Sequence, residues 1–128
     1  MSPKKRILLI DDEPSVTRMI KLRLESTGLY ELQTVNRSTQ GVAAALEFKP
    51  HLILLDVIMP ERGGMAIAYD IKAEEALKDV PIVLLTALVS QAQARHQGGR
   101  FGGYPVLPKP STTKDIIRCI EQQLSVET

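Results

Sequence analysis

Along the chain, short runs of consecutive apolar residues alternate with longer stretches in which apolar positions recur every three or four residues. Ile7-Leu8-Leu9-Ile10, Leu52-Ile53-Leu54-Leu55, Ile82-Val83-Leu84-Leu85 and Val106-Leu107-Pro108 are continuous runs of the first kind. Runs this short and unbroken suit strands buried on both faces of a parallel sheet. Tyr30 to Val35 adds β-favouring residues in partial alternation, and so a further strand. Between these lie helical patterns. Pro14 stands where a helix begins, with Val16, Met19, Ile20 and Leu24 at helical spacing until Gly28 stops it. Gln40 to Phe48 forms a small-residue helix whose Ala43, Ala44 and Ala45 allow close packing, ended by Pro50. A third helix is expected from Met65 to Leu77, after a loop whose Pro60, Gly63 and Gly64 forbid an earlier start. Ser111 or Thr112 caps the last helix, with Asp115 completing a capping-box pattern and Ile116, Ile117, Ile120 and Leu124 on its buried side. The stretch Gln91 to Tyr104 holds four glycines and few large apolar residues, so any helix there is short and the region is expected to be the softest of the fold.

Strands alternating with helices predict an α/β three-layer sandwich, helices on both faces of a five-stranded parallel sheet joined by right-handed crossovers. His51 to Val57 is expected as the third strand, and Pro81 opens the fourth. Pro105 and Pro108 flank the fifth and favour an edge position, which fits the order 2-1-3-4-5 of flavodoxin-like sheets.

The ends of the apolar runs carry the chemistry. The first leads into Asp11-Asp12, the second into Asp56, the third into Thr86 and the fourth into Lys109. In open α/β sheets ligands bind outside the carboxyl ends of the strands, so these side chains are expected to meet at one edge. Clustered carboxylates repel unless a cation or shared protons compensate, and the cluster calls for a divalent cation and a phosphoryl group. Taken singly each residue has a plainer reading: Asp11-Asp12 as a helix cap, Thr86 as an ordinary strand-end residue, Lys109 as a solvated lysine. Together they do not.

The remaining features narrow the field. At 128 residues the chain is expected to be one domain, residues 1–128, burying roughly two thirds of its unfolded surface. With 16 basic and 15 acidic side chains the net charge is +1, which recommends neither nucleic acid nor an anionic membrane as a partner. The apolar runs are far too short to span a bilayer, and the start Met1 to Arg6 leads into a strand rather than a signal-peptide core, so a cytoplasmic location is expected. Cys119 cannot form an internal disulfide and reads as a small hydrophobe near the core; His51 and His96 have no partners at catalytic or metal spacing.

In order, spacing and placement, Asp11-Asp12, Asp56 within Leu55-Asp56-Val57-Ile58-Met59-Pro60, Thr86-Ala87 and Lys109-Pro110 resemble the receiver domain of bacterial two-component response regulators. The resemblance implies a flavodoxin-like fold and a phosphoacceptor that takes a phosphoryl group from a histidine kinase or phosphotransfer protein and switches its binding to a downstream protein. It implies Mg²⁺ as cofactor, with Asp12, Asp56 and the Ile58 backbone carbonyl as ligands and Asp11 acting mostly through a water. Asp56 would be the acceptor, with Thr86 and Lys109 addressing phosphate oxygens; nothing points to direct contact with nucleic acid or membrane. A signalling domain is expected rather than an enzyme that turns over substrate. An aspartyl-phosphate phosphatase of the haloacid-dehalogenase type would place a second Asp two residues after the nucleophile, where this chain has Ile58. A receiver-like module with a silent acidic site is the other alternative. Two departures stand out: Val106 where the family usually has an aromatic residue, with Tyr104 on the same face two residues earlier, and the loose Gln97 to Gly103 segment.

Overall fold

In a computed structural model, residues 3–87 and 100–125 are described. Strand β1 (Lys5–Ile10) lies beside β2 (Tyr30–Val35) and β3 (Leu52–Asp56), and β3 beside β4 (Ile82–Thr86), all parallel. Helices α1 (Pro14–Glu25), α2 (Gly41–Phe48), α3 (Gly64–Lys72) and α4 (Thr113–Ser125) cover the two faces. The strands are buried because alternate residues feed two separate cores. Leu8, Ile10, Ile53, Leu55 and Leu84 pack with Ile67 and Ile71 of α3, while Ile7, Leu9, Leu52, Leu54 and Leu85 pack with Ile20 and Leu24 of α1 and Ile116 and Ile120 of α4. A strand buried on both sides needs no alternation in its sequence, which is why the apolar runs are continuous.

The sheet departs from the expected five parallel strands. Among the described residues it has six, in the order β2-β1-β3-β4-β6-β5. Strand β6 (Tyr104–Pro108) pairs parallel with β4, and the outermost β5 (Arg100–Phe101) pairs antiparallel with β6. Gly102 and Gly103 make the connection with φ of +60° and +90°, the left-handed pair that a two-residue hairpin needs and that glycine adopts without strain. The strand with Pro105 and Pro108 is therefore one place in from the edge, and a two-residue strand shields it.

Two helices also differ. The Met65 to Leu77 pattern contains a helix only to Lys72. Beyond it, successive three-residue turns (Glu74 N–H to the Ile71 carbonyl, Leu77 to Glu74, Val80 to Leu77) bring the chain back to the sheet, with the Lys72 ammonium tied to the Lys78 and Val80 carbonyls. Leu77 is buried because it turns into the core, not because it continues the helix. Of the three alanines in α2, Ala45 is fully buried, Ala44 half-buried and Ala43 exposed. The closest approach is made by Gly41, where an added Cβ would lie 3.1 Å from Ile10 Cδ1. The last helix starts as expected, Thr112 Oγ1 accepting the Asp115 N–H at 3.0 Å, whereas the Ser111 hydroxyl donates to the Pro108 carbonyl. Tyr104 and Val106 do share a face, both packing on the α3 side with Phe101. The expected short helix, His96 and most of the Gln91 to Tyr104 region lie outside the described residues.

Candidate phosphoacceptor and metal site

Each strand ends where its side chains can no longer be buried between helices, so the next polar residue emerges at the carboxyl edge. The Asp11 N–H still pairs with the Val35 carbonyl at 3.0 Å, extending β1 by one residue. Asp56 closes β3, Thr86 closes β4, and the Lys109 N–H is tied to the Thr86 carbonyl at 2.9 Å. Because β1, β3, β4 and β6 are neighbours, Asp11, Asp56, Thr86 and Lys109 come to one place. Asp56 and Lys109 line a cleft of about 520 Å³ together with Asp12, Ile58 and Ala87, with Val16, Met19 and Ile20 of α1 on one wall.

Lys109 is the hub. Its ammonium lies 2.7 Å from Asp11 Oδ2, 2.6 Å from Glu13 Oε1 and 3.4 Å from Asp56 Oδ2. Glu13 did not figure in the sequence reading. The only signal for it was its place beside Asp11-Asp12, and its contact spans 96 positions of chain. Burial alone would lower the Lys109 pKa, but the close contacts with the Asp11 and Glu13 carboxylates and the charges of Asp11 and Asp56 outweigh it and hold the ammonium well above its ordinary value. One ammonium cannot neutralise Asp11, Asp12, Glu13 and Asp56. Burial, then the charge of Asp11, push the Asp56 carboxyl up to about 6, against the pull of Lys109 and of the Ile58 N–H, 3.4 Å from Oδ1.

Asp11, Asp12 and Asp56 each bring a carboxylate oxygen within 4.8 Å of the others, close enough for one ion. Asp11 Oδ1 accepts the Glu13 N–H at 3.0 Å, while the fully buried Oδ2 faces the ammonium without making an aligned hydrogen bond. Clustered hard oxygens, one of them buried and under-satisfied, suit Mg²⁺, which takes one or two carboxylates and keeps several waters. The residues present therefore fit the metal. Asp12, half-buried and lining the cleft, is better placed to meet an ion from solution than Asp11.

The loop after Asp56 is shaped by glycine. The Gly64 N–H donates to the Val57 carbonyl at 2.8 Å, and a Cβ at Gly64 would sit 2.1 Å from the Asp56 carbonyl oxygen. Only glycine lets α3 start this close to the end of β3. The Lys109–Pro110 peptide is cis. Thr86 is buried at the end of β4, beside the Asp56 strand. Cys119 is partly buried against the α1 side of the core, and burial pushes its thiol up to about 11, as expected of a packing residue.

Comparison with known proteins agrees with this geometry. A sequence model described as the response regulator receiver domain matches residues 7–121. The transcriptional regulator RpaA of a Synechocystis strain is 33% identical over 88% of this chain and 46% of its own length. The phosphate regulon regulator PhoB of Pseudomonas aeruginosa is 34% identical over 88% of this chain and 48% of its own. The chain thus spans about half the length of these curated relatives. Among solved structures, the receiver domain of a Pseudomonas aeruginosa sensor histidine kinase, with a magnesium ion coordinated in its active-site cleft, superposes with a TM-score of 0.80 at 27% identity, covering 96% of this chain and 99% of that one. A Vibrio cholerae chemotaxis protein, CheY4, shares the fold at 24% identity and a TM-score of 0.81, covering 95% of this chain and 100% of that one. With strand ends, acidic cluster and lysine disposed as described, the chain belongs to the response regulator receiver domain family.

Proposed function

We propose that Asp56 is the phosphoacceptor, that Mg²⁺ is held by Asp12, Asp56 and the Ile58 carbonyl with Asp11 acting through water, and that the donor is the phosphohistidine of a sensor kinase or phosphotransfer domain. Phosphoryl transfer requires mainly positioning and neutralisation of charge. An Asp56 carboxylate oxygen attacks phosphorus, the bond from phosphorus to the donor imidazole nitrogen breaks, and the imidazole leaves. When bound, Mg²⁺ offsets the negative charge gathered between Asp56 and the incoming phosphoryl oxygens. The Lys109 ammonium, already within 3.4 Å of Asp56, meets one phosphate oxygen as a point charge, and the Thr86 hydroxyl donates to another. The added charge, about −1.5 to −2, draws these groups inward and shifts an existing equilibrium between loop arrangements. A downstream protein reads the change; the domain itself touches neither nucleic acid nor membrane. No helix among the described residues is long and apolar enough to cross a membrane, in keeping with action in the cytoplasm, where such donors work.

The observation that carries this reading is one ammonium shared between the two buried aspartates at the strand ends. Incubation with acetyl phosphate and Mg²⁺, followed by mass measurement, tests it. One base-labile phosphate per chain is expected, absent without Mg²⁺ and absent in Asp56→Ala. Phosphate on a Ser, Thr or His side chain, or persisting in that variant, overturns it.

A further inference from the structure

The connection between β2 and α2 touches both halves of the acidic site. Asn36 Nδ2 donates to the Asp11 carbonyl at 2.8 Å and to the Thr17 hydroxyl at 3.0 Å, fixing the turn that carries Asp11 and Asp12 against α1. Two residues on, Ser38 is 2% exposed, and its hydroxyl donates to the Pro60 carbonyl at 3.0 Å while accepting the Arg62 N–H at 3.1 Å. Both partners belong to the loop that runs from Asp56 past Ile58 to α3. Arg37 adds an ion pair with Glu61 at 3.0 Å, but between exposed side chains this contributes little. Gly41 lets the segment come so close, since any Cβ there would press on Ile10 and Ile67.

The loop is thus held at three points by different physics. Gly64 fixes its base through the Val57 carbonyl. Met59 is buried in the core and sets its depth. Among the described residues Ser38, by both donating and accepting, ties its backbone to the β2–α2 connection on the opposite side of the site.

We propose that Ser38 is a positioning residue for the metal site: its hydroxyl fixes the loop that carries the Ile58 carbonyl relative to Asp12 and Asp56, so that Mg²⁺ meets an ordered site. This rests on the metal reading above. Mg²⁺ tolerates little departure from octahedral geometry, so a loop that must be ordered on binding weakens affinity. Removing the hydroxyl takes one of two donors from the Pro60 carbonyl and leaves the Arg62 N–H with only its short-range bond to that same carbonyl, at 2.9 Å, so the loop backbone loses its tie to the β2–α2 connection.

The test uses Mg²⁺ alone as probe, titrated into the wild type, Ser38→Ala, Ser38→Thr and Ser38→Val and followed by amide NMR, with far-UV circular dichroism confirming that each is folded. Thr and Val match in shape and differ in the hydroxyl. Weakening of roughly tenfold is expected for Ala and Val, with Thr within about twofold of wild type, the scale on which groups supporting metal ligands act. In metal-free Ser38→Ala the Arg62 amide should also exchange faster. Unchanged Mg²⁺ affinity in Ala, or Thr and Val equally weakened, overturns the proposal, the second outcome assigning the effect to packing. If Thr and Val do not fold, Ala decides: faster Arg62 exchange with normal affinity overturns it. A wild type that binds no Mg²⁺ defeats the metal reading and this inference with it, whereas wild-type binding that the variants leave untouched defeats this inference alone.

Discussion

The two ends of the sheet solve opposite electrostatic problems. At the amino end the Arg6 guanidinium meets the Phe48 carbonyl at 3.2 Å and the Lys49 carbonyl at 2.7 and 2.9 Å, a cation placed where α2 leaves its last carbonyls unpaired. The His51 Nδ1 accepts the Arg6 N–H at 2.9 Å, and the His51 N–H donates to the Arg6 carbonyl at 2.8 Å, extending the β1–β3 pairing by one residue. His51, to which the sequence assigned nothing, is therefore structural. Burial, and then the charges of Arg6 and Lys5, lower its pKa and keep the imidazole neutral, as an acceptor must be. The carboxyl end is as tightly packed but unresolved, with Asp11, Asp12, Glu13 and Asp56 around one ammonium. Groups of the amino end satisfy one another. Those of the carboxyl end leave negative charge in excess, which under the proposed function a bound cation would offset, and they pay in stability without it.

The sharpest way to break this contrast is Asp56→Asn. Phosphate labelling should vanish, read by mass, while the metal-free protein at pH 7 gains about 1 to 2 kcal/mol in urea denaturation as the uncompensated charge is lost. A destabilised Asn variant would mean that the carboxylate is not strained. Lys109→Ala should act in the other direction: with Asp11 fully buried and facing no cation, roughly 2 to 3 kcal/mol should be lost. Adding Asp11→Asn should restore over half of it, which a double-mutant cycle measures. Lys109 thus matters before phosphorylation as well as after. Labelling should remain detectable in Lys109→Ala, with the beryllofluoride-induced spectral change blunted; a full-sized change would remove its proposed role.

Proton linkage supplies a third, smaller effect. The Asp56 carboxyl titrates at about 6 in the folded protein instead of the ordinary 3.8. A raised value means that the folded state holds the proton more tightly, so its contribution is fully present below pH 3.8 and is lost as pH rises through 6. Metal-free protein should accordingly lose about 1 to 2 kcal/mol from this group between pH 4 and pH 7, a slope that Asp56→Asn flattens. Mg²⁺ needs the ionised form, so its affinity should climb with pH up to about 6 and its stabilisation should oppose the metal-free slope. Urea midpoints from pH 4 to 8, with and without Mg²⁺, give both slopes; parallel curves would point to another group. The smallest effect belongs to the amino end. His51 has a lowered value, so its contribution is present above pH 6.5 and fades as pH falls below it. Asn can accept the same N–H without titrating, and His51→Asn should remove a loss below about 1 kcal/mol between pH 7 and 5. A wild-type acid response that survives the substitution would clear His51.

The strands were legible because burial on both faces demands continuous apolar runs, and the site residues because such strands expose their next polar residue at one edge. The sequence reading fell short where a contact, rather than a period, sets the structure. Leu77 fits a helical pattern yet enters the core from a turn, since apolar spacing records burial and not the path of the backbone. The Gly102-Gly103 pair reads as looseness until Phe101 and Tyr104 are seen paired across it. Val106, Tyr104 and Phe101 pack in one core cluster, so two rings reach it from the hairpin edge beside Val106, a contact that no apolar period along the chain announces.

Sequence alone determined which strands are buried and which side chains share the carboxyl edge, because in a parallel sheet strand direction and strand end fix that juxtaposition without any knowledge of distance. Tertiary structure alone decided that Glu13 joins Lys109 across 96 positions, that Ser38 reaches Pro60 across 22, and that burial beside Asp11 raises the Asp56 carboxyl above its ordinary range. These depend on separations of a few ångströms and on local exclusion of water, quantities set by how helices and loops pack over the strand ends and carried by no pattern along the chain.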